Sequence, residues 1–171
     1  MYNEEQRFKQ PIRWGMVGGG RGSQIGAIHR ASALRDGLFQ LLAGAFDINP
    51  ERGKEFGTNL GIDPNRCYVD YKEMFEEESQ RDEGIQAVSI TTPNKFHYEM
   101  AKAALLSGLH IICEKPLCFK SSEAEELKTI AKQQNLVICV TYGYTGFPMV
   151  HQARKMIENG ELGQIRIINT Q

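Results

Sequence analysis

Five short apolar runs recur along the chain, and stretches with helical spacing of apolar residues separate them. Several runs are apolar at consecutive positions, which is typical of strands whose two faces are both covered by helices. The regular alternation of strand and helix indicates repeated βα units around a parallel sheet, and hence an α/β fold. The predicted strands are residues 14–17, 41–46, 87–91, 110–113 and 136–141.

Helices are predicted in the intervals between these strands. The first follows Gly26 and is expected to bury its apolar side chains, which are Ile28, Ala31, Leu34 and Leu38. Further helices are expected to begin near Pro50, to span residues 71–79 and 96–106, to follow a capping box of Ser122 and Glu125, and to span residues 147–160.

The chain has 171 residues, enough for one sizeable hydrophobic core and too few for two ordinary domains. Residues 1–11 are a polar N-terminal tail, and residues 12–145 carry the alternation of strands and helices. Residues 146–171 are expected to hold a linking helix and, at 165–168, the first strand of a second α+β domain. The chain is too short to complete that domain.

Charge is nearly balanced, with 20 Lys and Arg against 21 Asp and Glu, so we expect no nucleic-acid partner. The charged run 76–83 is expected to be a solvated surface. No stretch approaches the roughly 18 apolar residues of a membrane span, and the N-terminus lacks the apolar core of a secretion signal. We therefore expect a soluble, cytoplasmic protein that makes no membrane contact and acts on a small molecule.

The cysteines show no paired spacing of the kind that binds zinc or forms a redox site, and they are Cys67, Cys113, Cys118 and Cys139. We expect them to be reduced and to act as small buried hydrophobic residues. No cluster of His, Cys and carboxylates has the spacing of a metal site, so no metal is expected.

A glycine-rich turn follows the first predicted strand and leads into the first predicted helix. A diphosphate bound at a helix N-terminus lies almost against the backbone, so side chains must be absent from such a turn. The strict dinucleotide pattern would place its third small residue at Ser23, and Gly26 is expected to provide the close packing of helix on strand. The predicted phosphate-binding residues are Gly18, Gly20, Arg21, Gly22 and Ser23.

Asp47 follows the second predicted strand, about 20 residues beyond Gly26, where dinucleotide-binding folds place an acidic residue for the adenosine ribose. A carboxylate there accepts hydrogen bonds from the ribose hydroxyls and repels a 2′-phosphate. The sequence therefore predicts a doubly wound, parallel-sheet Rossmann domain that binds NAD. NADP remains possible, because Arg52 lies nearby and could accept a 2′-phosphate. The other interpretation of Asp47 is a turn residue that only leads into the helix at Pro50.

Two tripeptides follow later predicted strands: Thr-Pro-Asn at 92–94, with His97 after it, and Glu-Lys-Pro at 114–116. Both stand where ligands of parallel sheets bind, at the carboxyl end of a strand. In this order, and together with the glycine turn, they resemble the Gfo/Idh/MocA family, which includes glucose-fructose oxidoreductase and inositol dehydrogenases. The resemblance extends from Ile12 to the last residue.

The resemblance implies an NAD(P)-dependent dehydrogenase that acts on a sugar, an inositol or a related polyol. It places Lys115 beside the nicotinamide as the catalytic residue, since an ammonium group can stabilise the alkoxide character of the reacting hydroxyl. It also suggests a cis peptide bond before Pro116. The residues that it implies for the cofactor are Thr92, Pro93, Asn94, His97, Glu114, Lys115 and Pro116.

The family's second domain supplies an Asp and a His that complete the catalytic set, and this chain has too few residues after Thr141 to contain it. We therefore expect the chain to bind the cofactor without completing catalysis. One alternative is a short non-catalytic module that senses a dinucleotide or pairs with another subunit. The other is a structural or interaction protein with a vestigial site, which would not bind NAD. Surfaces left uncovered by the second domain favour association into a homo-oligomer.

Overall fold

The computed structural model describes residues 10–169. Its centre is a five-stranded sheet in which all neighbouring strands are parallel, in the order β2-β1-β3-β4-β5. The strands are β1 (Ile12–Gly18), β2 (Phe39–Ala45), β3 (Ala87–Thr91), β4 (His110–Cys113) and β5 (Ile138–Val140). All five predicted strands are confirmed, and the bounds predicted for β3 and β4 are those observed.

The sheet is doubly wound, because the chain runs from β1 outward to β2 and then returns to the other side of β1 as β3. Beyond β2, a single parallel bridge pairs Gly44 with Cys67, and the Tyr68 N–H donates to the Gly44 carbonyl. This bridge occupies the place of the third strand in the six-strand dinucleotide-binding order. The predicted Rossmann-type α/β class is confirmed.

Helices connect the strands and follow the last of them. Within the described residues they are α1 (Gln24–Arg35), α2 (Pro50–Asn59), α3 (Tyr71–Ser79), α4 (His97–Leu106), α5 (Ser121–Gln133) and α6 (Pro148–Glu158). Pro50 opens α2 as predicted, since its fixed φ suits the first helical position. The predicted capping box of α5 is wrong, because Glu123, and not Glu125, accepts from the backbone N–H of Lys120.

The two faces of β1 contribute to two hydrophobic cores. Trp14 and Met16 are fully buried in one cluster with Phe46 and Ile62. Val17 lies in the other, larger cluster, which includes side chains of α3, α4 and α5. Because successive strand residues point to opposite faces, this alternation requires cover on both sides of the sheet. The carboxyl ends of the strands are then the place for a ligand.

The buried face of α1 differs from the predicted one. Gly26 and His29 are its buried residues, whereas Ile28 and Leu34 are 57% and 44% exposed. Gly26 packs on the backbone of the glycine turn, and His29 makes buried polar contacts, so these two residues fix the rotation of the helix. Leu38 lies beyond the end of the helix.

The charged run 76–83 contains one residue that is not solvated, contrary to the prediction. The Glu78 side chain is fully buried, and its carboxylate accepts hydrogen bonds from Arg66, from the Tyr68 hydroxyl at 3.1 Å and from the Ile85 N–H at 3.1 Å. Burial, and then the charge of Glu78, raise the pKa of the Tyr68 hydroxyl. Glu78 thereby joins the end of α3 to the entry of β3.

Two predictions near the end of the chain are also wrong. Cys139 is exposed, because β5 is the last strand in the order of the sheet and the described residues do not cover this face of it. Residues 165–168 form no strand, since no neighbouring strand among the described residues pairs with them. Cys113 is buried as predicted, and the other two cysteines are half-buried.

The described residues separate into two compact units, one ending at Val140 and one beginning at Thr141. The second unit contains α6, none of whose residues is buried. No helix between residues 10 and 169 is both long and apolar enough to cross a membrane. The same residues contain no group of three or more His, Cys, Asp or Glu side chains placed to hold a metal ion.

Candidate dinucleotide-binding site

Three loops that carry predicted site residues meet at one edge of the sheet. The register pairs Gly18, at the end of β1, with Thr91, at the end of β3. It also pairs Ile90 of β3 with Cys113, at the end of β4. The glycine turn, residues 92–94 and residues 114–116 therefore leave the sheet side by side, at the point where the winding reverses and where such sheets bind ligands.

The glycine turn has room for a ligand and none for most side chains. Gly18 and Gly19 have φ values of +77° and +72°, a region that residues with a Cβ rarely adopt. A Cβ on Gly20 would lie 2.6 Å from the Phe46 carbonyl oxygen, whereas Gly22 faces open space at φ +82°. The backbone thus turns closely past the end of β2 and stays uncovered on its outer side.

The start of α1 offers unused hydrogen-bond donors beside this turn. Ser23 is the N-cap, and its hydroxyl oxygen accepts from the Gly26 N–H at 3.1 Å. Within residues 10–169, the N–H groups of Gln24 and Ile25 have no intramolecular acceptor, as the geometry of a first helical turn dictates. With the positive end of the helix dipole, these N–H groups suit an anion such as a diphosphate.

Gly26 allows α1 to start this close to the turn. A Cβ on Gly26 would collide with the Cα and the carbonyl oxygen of Gly19, so helix and turn touch through their backbones. The predicted packing role of Gly26 is confirmed. Arg30, one helical turn further on, donates from its guanidinium to the Gly19 carbonyl at 2.6 Å. The sequence analysis did not predict this hydrogen bond, because nothing in the local pattern distinguishes Arg30.

Asp47 lies at the end of β2 with its carboxylate already engaged. Its Oδ1 accepts from the backbone N–H of Asn49 at 2.8 Å and from the Arg52 guanidinium at 3.0 Å. The Asn49 hydrogen bond, and then the Arg52 hydrogen bond, hold the pKa of this carboxyl below its usual value. The group is therefore an ionised acceptor at neutral pH. On the glycine turn, Arg21 forms an exposed ion pair with Glu55.

His97 connects two of the three loops. It begins α4 and is fully buried, with Nε2 at 2.8 Å from the Thr92 carbonyl oxygen and Nδ1 at 2.7 Å from the Pro116 carbonyl oxygen. Both partners are acceptors, so a neutral ring can donate to one of them at a time and an imidazolium to both. His97 thus ties residues 92–94 to residues 114–116 through their backbones.

The Glu-Lys-Pro segment turns away from β4 through a cis peptide bond between Lys115 and Pro116, which confirms the predicted isomer. The Lys115 side chain is exposed, and no hydrogen bond or ion pair holds its ammonium group within the described part of the chain. Cys113, just before the segment, is buried, and burial raises the pKa of its thiol to about 12. That thiol is therefore no nucleophile at neutral pH.

Glu114 is held by His29 of α1. The Nε2 of His29 lies 3.0 Å from the Glu114 Oε1, and its Nδ1 lies 3.2 Å from the Ser89 hydroxyl oxygen. Helical spacing gives no sign of these contacts, because the partners are far apart in sequence. A polar residue on the face of a helix that packs on a sheet was the available signal.

Comparison with known proteins agrees with this geometry. The family model described as "Oxidoreductase family, NAD-binding Rossmann fold", GFO_IDH_MocA, matches residues 12–142. An uncharacterized oxidoreductase of Bacillus subtilis, YfiI, is 55% identical over the full chain, which spans 44% of that protein. A levoglucosan dehydrogenase of Pseudarthrobacter phenanthrenivorans is 32% identical over 91% of the chain, which covers 39% of that enzyme.

Solved structures give the same picture. An inositol dehydrogenase homologue of Azotobacter vinelandii, crystallised with NADH and myo-inositol, is 61% identical and superposes with a TM-score of 0.91 over 94% of this chain and 42% of its own. The same homologue with NAD⁺ gives a TM-score of 0.92, over 97% and 43% of the two chains. The chain therefore spans less than half the length of the relatives that it matches.

Proposed function

Because this chain belongs to the Gfo/Idh/MocA family of oxidoreductases, we propose that it is the cofactor-binding part of a dehydrogenase for a sugar, an inositol or a related polyol. The observation that carries the proposal is the bare glycine turn beside the unused N–H groups of Gln24 and Ile25. These features fit a dinucleotide diphosphate, which needs close backbone approach and several donors. The relatives with bound NAD⁺, NADH and myo-inositol support the same function.

Asp47 and the glycine turn bind the adenosine half of the cofactor in this proposal. The diphosphate lies against Gly18, Gly20 and Gly22 and accepts from the N-terminus of α1, and the Ser23 hydroxyl adds a donor. Asp47 accepts hydrogen bonds from the ribose hydroxyls, so NAD is favoured over NADP. Arg52 already neutralises part of the Asp47 charge and is the residue that would accept a 2′-phosphate.

The other two loops bind the nicotinamide half. Thr92, Pro93 and Asn94 pass beside the nicotinamide ribose, and His97 fixes their backbone relative to the Glu-Lys-Pro segment. The nicotinamide, when bound, would accept a hydride from the carbinol carbon of the substrate or, in the reverse direction, donate one to the carbonyl carbon. Lys115 is the proposed catalytic residue: its ammonium would donate a hydrogen bond to the reacting hydroxyl oxygen and stabilise its alkoxide character, and the hydroxyl proton would pass to a base in the family's second domain.

The substrate class and the assembly are part of the proposal. Relatives that act on or bind levoglucosan and myo-inositol favour a cyclic polyol or sugar. Completion of the substrate site requires the remaining part of the relatives' length, so the chain by itself binds the cofactor without turnover. No disulfide is formed among residues 10–169, which fits the reducing cytoplasm, and the uncovered apolar surface favours a homo-oligomer.

Calorimetric titration of the chain with NADH and NADPH tests the proposal. We expect NADH to bind more tightly than NADPH. Asp47→Ala should lower the affinity for NADH about tenfold to a hundredfold, since hydrogen bonds to a charged group are lost. NADPH binding should weaken less. Asp82→Ala is the matched control, because Asp82 is exposed and precedes β3 at the opposite end of the sheet. Equal affinities for the two cofactors would contradict the role of Asp47.

A further inference from the structure

A chain of buried hydrogen bonds runs from the core of the sheet to the Glu-Lys-Pro segment. The indole N–H of Trp14 in β1 donates to the Ser89 hydroxyl oxygen in β3 at 3.0 Å. Ser89 contacts the Nδ1 of His29 in α1 at 3.2 Å, and the Nε2 of His29 contacts the Glu114 carboxylate at 3.0 Å. Trp14 and Ser89 are fully buried, and the Glu114 side chain is 12% exposed.

The chemistry of these groups fixes which of them donates and which accepts in each hydrogen bond. An indole N–H only donates, so Ser89 accepts from Trp14 and its single hydroxyl hydrogen remains to be donated. With the His29 Nδ1 as the acceptor of that hydrogen, a neutral imidazole carries its own hydrogen on Nε2. That hydrogen points at Glu114, a carboxylate that accepts. The sheet core thereby selects the His29 tautomer that donates to the loop.

We propose that His29 is a positioning residue, which holds Glu114 through a hydrogen bond from Nε2 and thereby places Lys115 beside the nicotinamide. The proposal rests on the function proposed above. Lys115 needs such support, because no described residue holds its ammonium group. His29 fixes the residue before Lys115 by its side chain, and His97 fixes the residue after it by its backbone carbonyl. The two histidines leave Lys115 exposed and with little freedom in its backbone.

Binding of two ligands separates positioning from general structural support. ADP-ribose carries the diphosphate and the adenosine of NADH but lacks the nicotinamide, so it tests the glycine turn alone. His29→Leu is expected to reduce the affinity for NADH about tenfold relative to wild type and to leave the affinity for ADP-ribose within about twofold. Equal losses for both ligands, or no loss for NADH, would overturn the proposal.

Two further variants test the hydrogen bond itself. The amide nitrogen of His29→Gln can take the place of Nε2 and donate to Glu114, so this variant should recover most of the NADH affinity lost in His29→Leu. A Gln variant as weak as the Leu variant contradicts the proposal. Ser89→Ala keeps His29 and removes the group that sets its tautomer. It should lower NADH affinity several-fold with ADP-ribose unchanged, which keeps the test decisive where His29→Leu does not fold.

The wild-type chain offers a measurement that needs no variant. Long-range ¹H–¹⁵N correlation spectra of the ¹⁵N-histidine-labelled chain distinguish the two imidazole tautomers, and His29 should carry its hydrogen on Nε2. A hydrogen on Nδ1 would reverse the direction of these hydrogen bonds and refute the proposal. If the wild-type chain bound neither ADP-ribose nor NADH, the proposed function would be refuted instead.

Discussion

Glycine at position 26 is required by a backbone contact, which makes it a sharper test of the turn than the exposed glycines. A Cβ there would collide with Gly19, so Gly26→Ala should push α1 away from the turn. We expect a loss of about 1–3 kcal/mol in the free energy of unfolding, as in other overpacked sites, with a loss of NADH affinity. Urea denaturation and calorimetry measure the two effects.

Gly53→Ala in α2 is the matched control. A Cβ on Gly53 would lie 3.4 Å from the nearest backbone atoms of Asp47, an ordinary contact. Alanine also suits a helix interior better than glycine, so this variant should be unchanged or more stable by about 0.5–1 kcal/mol. If the two substitutions had equal effects, the backbone contact at Gly26 would not be the reason for its glycine.

Asp47 predicts a pH dependence with a definite sign. Its pKa lies below the ordinary value of about 3.9, and the ionised form is the one that accepts from ribose hydroxyls. Its contribution to NADH binding is therefore fully present above that value and is lost only as pH falls through the lowered pKa. Calorimetric titrations from about pH 8 to about pH 5 measure the NADH affinity of the wild type and of Asp47→Asn. The wild type should lose no affinity over this range beyond any loss that the variant also shows.

The sequence marked the glycine turn, Asp47 and the two tripeptides because each is a short pattern at the end of a strand. It missed His29 as a site residue because its partners lie on β3 and after β4, and helical spacing carries no information about them. Arg30 was missed for the same reason, since its partner is a backbone carbonyl that any residue can supply. Local patterns thus locate the groups that meet a ligand, and long-range contacts locate the groups that hold them.

At the scale of elements, hydrophobic spacing was a good guide for strands and a poor one for α1. Strands inside a doubly covered sheet are apolar throughout, so their runs were found within a few residues of their bounds. The rotation of α1 is set by Gly26 and His29, a backbone contact and a polar contact, and both outweigh the exposure of Ile28 and Leu34. Periodicity alone could not weigh these terms.

The link between α3 and β3 depends on Glu78, which predicts a large effect of its removal. Glu78→Ala leaves the guanidinium of Arg66 and the N–H of Ile85 without their buried acceptor. We expect a loss of about 3–5 kcal/mol in the free energy of unfolding, measured by urea denaturation. Glu76→Ala, in the same helix and exposed, should change it by less than about 0.5 kcal/mol. Similar small effects at both positions would contradict the structural role of Glu78.

For the whole molecule, the order of the strands explains why site and fold were predictable together. A parallel sheet that reverses direction beside β1 brings the ends of β1, β3 and β4 to one edge, so any motif after these strands joins the same site. The bridge between Gly44 and Cys67 stands in place of a full strand, and the apolar pattern of the sequence did not predict it. A single bridged pair does not require a run of apolar residues. The exposure of Cys139 likewise depends on its strand lying at the edge.

The second unit leads to the prediction that depends on the whole chain. Helix α6 is amphipathic, and the described residues bury none of it; its apolar stripe consists of Met149, Val150, Ala153, Met156 and Ile157. A short helix with an uncovered apolar face is stabilised by a partner, because helix propensity alone is too weak. We expect a second copy of the chain to be that partner.

Sedimentation velocity over a range of concentrations should therefore detect reversible association of the chain. Replacing Val150 and Ile157 together by Glu should give a monomer, since two charges would enter the apolar contact. The control places Glu at His151 and Lys155, on the opposite side of α6, and should associate like the wild type. A wild-type chain that stays monomeric at high concentration would contradict the prediction, and association that persists in the Val150 and Ile157 variant would assign the contact to another surface.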